Sequence, residues 1–309
     1  MKILFMGTPD FAVFSLKALV EAGEDVIGVV TQPDKPKGRG YTLTPPPVKV
    51  YAEEHGLPVW QPATLRDESF ASLLEELSPE LIAVVAYGKI LPESVIRFPK
   101  YGCVNVHGSL LPEYRGAAPM QRAIIDGKEV TGITTMYMDV GLDTGDMILK
   151  EEIAIEECDN FETIHDKLGI CGARLLVDTV ELIKDGKAPA TPQDDALATY
   201  AAKIEKSDCL IDFSRSAREI HCQIRGLSPI PLSFTHTSDG KLLKVIAAER
   251  VDKSYDAQAG EVVSLDGGIT VACKDGAIKL THVLPEGKGR MPAADFIRGR
   301  KVALGDILK

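Results

Sequence analysis

The sequence predicts an α/β protein in which a mostly parallel sheet carries helices on both faces and is followed by a small β-rich barrel domain. Three observations carry this. The chain opens on an apolar run at 2–6, turns at Gly7-Thr8-Pro9-Asp10, enters a helical pattern from Phe11 to about Ala22, and returns to an apolar run at 25–30. Such a strand-helix-strand unit makes a right-handed crossover between parallel strands. Further apolar runs at 58–60, 81–86, 103–107 and 132–138 are interspersed with helical patterns at about 48–55, 68–77, 119–126 and 161–185. The character then changes. Residues 187–205, with Pro189, Pro192 and several small residues, read as a linker; beyond it one helix at about 216–225 precedes short β-rich segments divided by turns such as Ser238-Asp239-Gly240 and Asp266-Gly267-Gly268. One helix and several strands predict a small barrel or sandwich.

A chain of 309 residues is about twice a typical domain, so two are expected, 1–186 and 206–309. No run approaches the roughly 18 apolar residues of a membrane span, and Met1 to Phe5 reads as a strand, too soon broken by Gly7 and Pro9 for a secretory signal. A cytoplasmic protein with no membrane partner is expected. The six cysteines have no C-x-x-C spacing, which argues against a metal knuckle or a redox pair; no metal is expected, and the thiols are read as buried, reduced and inert. The net charge is −10, unevenly spread: residues 206–309 hold 16 Lys and Arg against 13 Asp and Glu, leaving 19 against 32 before them. A weakly basic tail on an acidic body is a modest hint of a polyanionic partner.

The densest chemistry lies at Asn105-Val106-His107, with Asp143 following 36 positions later inside Asp139-Val140-Gly141-Leu142-Asp143-Thr144-Gly145-Asp146. Alternate residues of a strand share a face, so Asn105 and His107 point one way, Val104 and Val106 the other. Buried parallel strands are usually continuous aliphatic runs, and an unpartnered amide or imidazole there costs about 1–3 kcal/mol. A lone Asn-x-His pair is more often a satisfied structural pair. Here it sits just before Gly108-Ser109-Leu110-Leu111-Pro112, where the strand runs out into a loop, and ligands of open α/β sheets collect at such ends. The carboxylate of Asp143 is able to orient or charge the histidine.

That trio fits acyl transfer to an amine without a covalent enzyme intermediate. An amide and an imidazolium supply donors for a developing oxyanion, and a histidine passes a proton from attacking to leaving nitrogen. Ser109 lacks the G-x-S-x-G elbow of a nucleophile and reads as a turn or binding residue. The first turn lacks G-x-G-x-x-G, which disfavours a nicotinamide or flavin. One long loop, 33–47, holds Lys35, Lys37 and Arg39 beside Tyr41 and two glycines, a set suited to phosphate and base; a merely solvated basic loop is the alternative.

Asn105 to Pro112, then Tyr114-Arg115-Gly116-Ala117-Ala118-Pro119, then Asp139 to Asp146 resemble the signature of folate-dependent formyltransferases. Gly7-Thr8-Pro9-Asp10-Phe11 and Gly38-Arg39-Gly40 narrow the resemblance to the methionyl-tRNA formyltransferase family, over nearly the whole chain. The resemblance implies a Rossmann-like first domain, an OB-like tRNA-binding second one, 10-formyltetrahydrofolate as donor, and the α-amino group of methionine on initiator methionyl-tRNA as acceptor. By motif, Asn105, His107 and Asp143 take the catalytic positions. Ser109, Leu110, Leu111 and Pro112 match the folate-binding turn, while Ala86, Tyr87, Gly88, Ile90 and Leu91, with Val140, Gly141 and Leu142, resemble the walls around the pterin. Lys35, Lys37 and Arg39 fall in the loop that reaches the tRNA acceptor end. A monomer is expected. The pattern departs from the family at Leu227 and Ile230, where aromatic residues are common, and both are expected in the core.

The nearest alternative is a folate-dependent formyltransferase acting on a small amine, such as a glycinamide or amino-sugar nucleotide; the basic loop and the extra hundred or so residues favour the larger acceptor. A non-catalytic tRNA-binding protein would have no need of all three candidate residues. An NAD-dependent oxidoreductase lacks its glycine fingerprint.

Overall fold

The computed structural model describes residues 1–37 and 42–309, in two compact units that interleave along the chain. The first comprises 1–116, 130–154 and 165–200; the second comprises 117–129, 155–164 and 201–309.

In the first unit, β1 (Ile3–Gly7), α1 (Asp10–Glu21) and β2 (Val26–Val30) form the expected opening crossover, and β1 pairs parallel to β2. A hairpin of β3 (Lys35–Lys37) and β4 (Thr42–Thr44) occupies part of the loop expected at 33–47. Next come α2 (Pro47–Glu54), β5 (Val59–Trp60), α3 (Glu68–Leu77), β6 (Leu81–Val85), the short α4 (Glu93–Ile96) and β7 (Cys103–His107). Asp67 caps α3, its side chain accepting from the Phe70 amide at 3.0 Å. After β8 (Arg115–Gly116) the second unit contributes α5 (Pro119–Ile125), and the first resumes with β9 (Val130–Tyr137) and β10 (Met147–Ala154). The main sheet runs β10-β9-β7-β6-β1-β2-β5, parallel from β7 to β5, with β9 and β10 antiparallel at one edge. The mostly parallel α/β expectation therefore holds.

The long helix α6 (Phe161–Lys184) starts in the second unit and runs through the first. A Cβ at Gly172 would stand 3.0 Å from the Val106 side chain, so a glycine lets the helix lie close to β7 on the face away from Asn105 and His107. Residues 187–200 fold with the first unit: Thr191 and Met147 exchange backbone hydrogen bonds of 2.9 Å, and β11 (Tyr200–Ala201) pairs with β8.

The second unit holds α7 (Ala217–Leu227), opened by a capping box between Ser216 and Glu219, and an antiparallel sheet ordered β12-β13-β16-β15-β14, with β17 beside β16. These are β12 (Ser233–His236), β13 (Leu242–Val251), β14 (Val262–Ser264), β15 (Ile269–Ala272), β16 (Ala277–Pro285) and β17 (Met291–Pro292), followed by α8 (Ala293–Arg298). Ile220 and Ile224 of α7 share one core with Val245, Val271, Ile278 and Leu280, which makes this a β-rich half-barrel closed by helices. Leu227 is fully buried beside Cys209 and Phe234, as expected. Ile230 is not in the core: it is 66% exposed, because it stands in the turn after α7 between Pro229 and Pro231, which have no N–H to give to a ladder. Cys158 departs from the expectation of buried thiols as well, lying exposed in the turn that follows β10. Burial pushes the Cys103 thiol up to about 12 and the Cys171 thiol to about 11, far from thiolate chemistry.

Candidate active site

His107 ends β7, with Val84 of β6 opposite Asn105 and Thr134 of β9 opposite His107 itself. The ladder fixes the direction of both side chains. Asn105 is half-buried, and its carboxamide makes no hydrogen bond among the described residues; His107 is buried. The Nε2 of His107 lies 2.9 Å from the Tyr114 carbonyl oxygen, which only accepts, so that nitrogen carries a proton and donates it. Its Nδ1 faces the Asp143 carboxylate, Oδ2 at 3.7 Å.

Asp143 arrives differently. Met138 donates its N–H to Cys103 O, so the turn between β9 and β10 begins at the amino end of β7 and folds back until Asp143 meets His107 at the other end. The Asp139 Oδ1 accepts from the Gly141 amide at 3.0 Å and the Thr144 hydroxyl at 2.7 Å, closing the turn on itself. At Gly145 a Cβ would lie 1.8 Å from Tyr137 O, so no other residue fits. Asp143 has φ +55°, left-handed backbone that costs a non-glycine residue about 1–2 kcal/mol. Its Oδ2 accepts the Gly116 amide at 2.8 Å.

Two residues outside the expected set hold this turn. Gln193 Nε2 donates to Asp143 O and Gly145 O, each at 2.8 Å, while its Oε1 accepts from Arg115 Nε at 3.0 Å and Nη2 at 2.9 Å. Arg115, 2% exposed, also donates to Asp195 at 2.7 Å. Arg115 lies within the motif Tyr114-Arg115-Gly116-Ala117-Ala118-Pro119. Gln193 carried no signal, since the Pro-containing stretch around it gives no periodic pattern.

The other expected contact residues fall into two groups. Ser109 and Leu111 are buried, Ser109 donating to Glu113 O at 2.6 Å; Leu110 and Pro112 are half-buried. Thr134 pins the segment, accepting from the Leu111 amide at 3.1 Å and donating to Ser109 O at 2.8 Å. Tyr87 and Leu91 pack in the core beside Leu65 and Phe70; the Tyr87 hydroxyl has no partner among the described residues, and burial pushes it up to about 12. Ala86, Gly88, Ile90, Val140, Gly141 and Leu142 are exposed. Lys35 is exposed on β3 and Lys37 ends that strand, while Arg39 lies outside the described residues. The hairpin's base is tied down: Lys49 Nζ reaches both Asp34 oxygens at 3.0 and 3.1 Å, and Gln61 donates to Asp34 at 2.7 Å. Among the described residues no three His, Cys, Asp or Glu cluster as a metal site, and no helix is long and apolar enough to cross a membrane.

A mostly parallel sheet with an Asn-x-His strand and a carboxylate turn facing the imidazole, together with a half-barrel unit, is the setting in which the chain's likeness to formyl transferases is found. Residues 1–180 match the formyl transferase family and residues 203–301 its C-terminal domain. Methionyl-tRNA formyltransferase from Pelotomaculum thermopropionicum is 52% identical over 310 aligned positions, 100% of this chain and 98% of that protein. The chain belongs to the methionyl-tRNA formyltransferase family. Two solved structures share the fold at lower identity. An N-formyltransferase from Helicobacter canadensis, in complex with folinic acid and dTDP-3-aminofucose, is 20% identical with a TM-score of 0.69, covering 91% of this chain and 98% of that one. HypX from Aquifex aeolicus with tetrahydrofolic acid is 17% identical with a TM-score of 0.64, covering 96% and 47%.

Proposed function

We propose that this protein transfers the formyl group of 10-formyltetrahydrofolate to the α-amino group of methionine on initiator methionyl-tRNA, supporting translation initiation in the cytoplasm. The observation that carries the chemistry is the facing of His107 Nδ1 and Asp143 across 3.7 Å while Nε2 is committed to Tyr114 O. Nδ1 is therefore the nitrogen free to take the proton of the attacking amine as its lone pair forms the bond to the formyl carbon, and to return it to the departing nitrogen. Asp143 stabilises the imidazolium meanwhile. Asn105, with its carboxamide uncommitted, donates to the oxygen that gains charge in the tetrahedral intermediate. Together with Asp143 these are the proposed catalytic residues.

The residues around the trio fit a folate. A flat conjugated ring needs apolar walls and backbone polar groups, and Ile90, Val140 and Leu142 are exposed, as are Ala86 and Gly88 between β6 and α4. The folate supplies the activated formyl group; Ser109 to Pro112 and residues 86–91 supply its seat. Lys35, Lys37 and Arg39 hold the acceptor end of the tRNA, and the half-barrel unit, 206–309, contributes the remaining grip on its backbone. All three catalytic residues and both braces of the turn come from one unit of one chain, which supports a monomer as the working form.

The test is a formyl-transfer assay offering charged initiator tRNA, charged elongator tRNA and an amino-nucleotide side by side. Initiator tRNA is expected to be formylated far faster than the others. Faster formylation of the small amine would replace this reading with a small-molecule formyltransferase.

A further inference from the structure

The turn that carries Asp143 is held from outside by one amide. Gln193 donates both of its N–H groups, to Asp143 O and Gly145 O, and so fixes the peptide planes that follow Asp143 and Gly145. Its oxygen is seated in the fork of the buried Arg115. Arg115 lies between Tyr114, whose carbonyl accepts from His107, and Gly116, whose amide donates to Asp143. A single side chain thus ties the segment that holds both candidate residues to the turn that presents one of them. Every donor and acceptor of that side chain's carboxamide is engaged.

We propose that Gln193 is a positioning residue for formyl transfer, setting the Asp143 carboxylate opposite His107 Nδ1 through the two carbonyls it holds. This rests on the reading of Asp143 as catalytic and extends it. Left-handed backbone at Asp143 is not the conformation the turn would choose unaided, so the bonds to its carbonyls select it. A displacement of about 1 Å at such a group lowers turnover by up to about 100-fold without touching substrate binding.

The experiment uses the full-length protein, charged initiator tRNA and 10-formyltetrahydrofolate, with Gln193→Glu, Asp143→Ala and the double variant. Gln193→Glu keeps an acceptor for Arg115, and hence the buried cation's partner, but turns the donor atom into an oxygen facing two carbonyls. Expected are a kcat lower by roughly 10- to 100-fold, KM values for both substrates within about twofold, an unchanged thermal midpoint, and less than about a twofold further loss when Asp143 is already alanine. Wild-type kcat in Gln193→Glu, a loss confined to KM, or the same fold loss with and without the Asp143 carboxylate would each overturn the inference. Full turnover by Asp143→Ala would instead remove the catalytic reading on which it rests. Should Gln193→Glu yield no folded protein, Gln193→Met, similar in shape and without donors, carries the same kcat and KM expectations, with a lower thermal midpoint because the buried Arg115 loses an acceptor.

Discussion

His107 stands on a strand paired on both sides, its direction set by the ladder through Asn105 opposite Val84 and by its own pairing with Thr134. Asp143 stands on a turn whose conformation is set by Asp139 from within and by Gln193 and Gly116 from outside. One half of the site is rigid because backbone hydrogen bonds repeat at every step; the other is rigid because a handful of side-chain bonds converge. The first kind tolerates most single changes, and the second depends on a few named atoms.

The largest expected effect breaks the strand half. His107→Ala should lower the single-turnover formylation rate by roughly 1,000-fold while tRNA affinity stays within about twofold. Retained turnover would show the imidazole to be structural. On the turn half, Asp143→Gly should lower turnover by about 10- to 100-fold yet leave the protein as stable or up to about 1 kcal/mol more stable in urea unfolding, because glycine accepts positive φ. Stability lost in that variant would mean that the Gly116 bond outweighs the backbone strain.

A third test separates the site from the fold's other buried histidine. On α7, burial pushes the His221 imidazole down to about 4, with Arg225 and Arg250 adding to the shift. The unfolded chain binds that proton near pH 6.5, so in the window between about 6.5 and 4 unfolding takes up protons. The stability His221 gives is therefore complete above about pH 6.5 and is lost as pH falls toward 4, on the order of 3 kcal/mol. Urea unfolding across that window should show the decline, and His221→Gln should flatten it. The smallest effect touches neither half: Asp67→Ala removes the α3 cap, for about 1 kcal/mol of stability and an unchanged kcat. A changed kcat there would mean that general loosening, rather than the two named halves, governs turnover.

The same contrast explains what was legible. Five parallel strands and the long α6 show as apolar runs and helical periodicity, and so does the polar pair interrupting β7. The sequence pattern does not predict the edge strand β10, Met147–Ala154, because Lys150, Glu151 and Glu152 break its apolar run; charges of this kind protect an exposed edge from pairing with other chains. Residues 187–205 read as a linker from their prolines and small residues, yet Gln193 makes bonds to carbonyls 50 and 48 positions away. Ile230 reads as core by its side chain and is exposed by its place between two prolines.

From the residues alone came the fold class, the family, and the trio with its expected acyl-transfer chemistry, since alternation along a strand and motif spacing are local properties of the chain. Only the folded structure assigned the proton on His107 to Nε2, turned Nδ1 toward Asp143, and brought Gln193 under the turn. Those depend on which atoms meet across 50 residues or more of chain, and a hydrogen bond between distant groups leaves no period in the sequence to read.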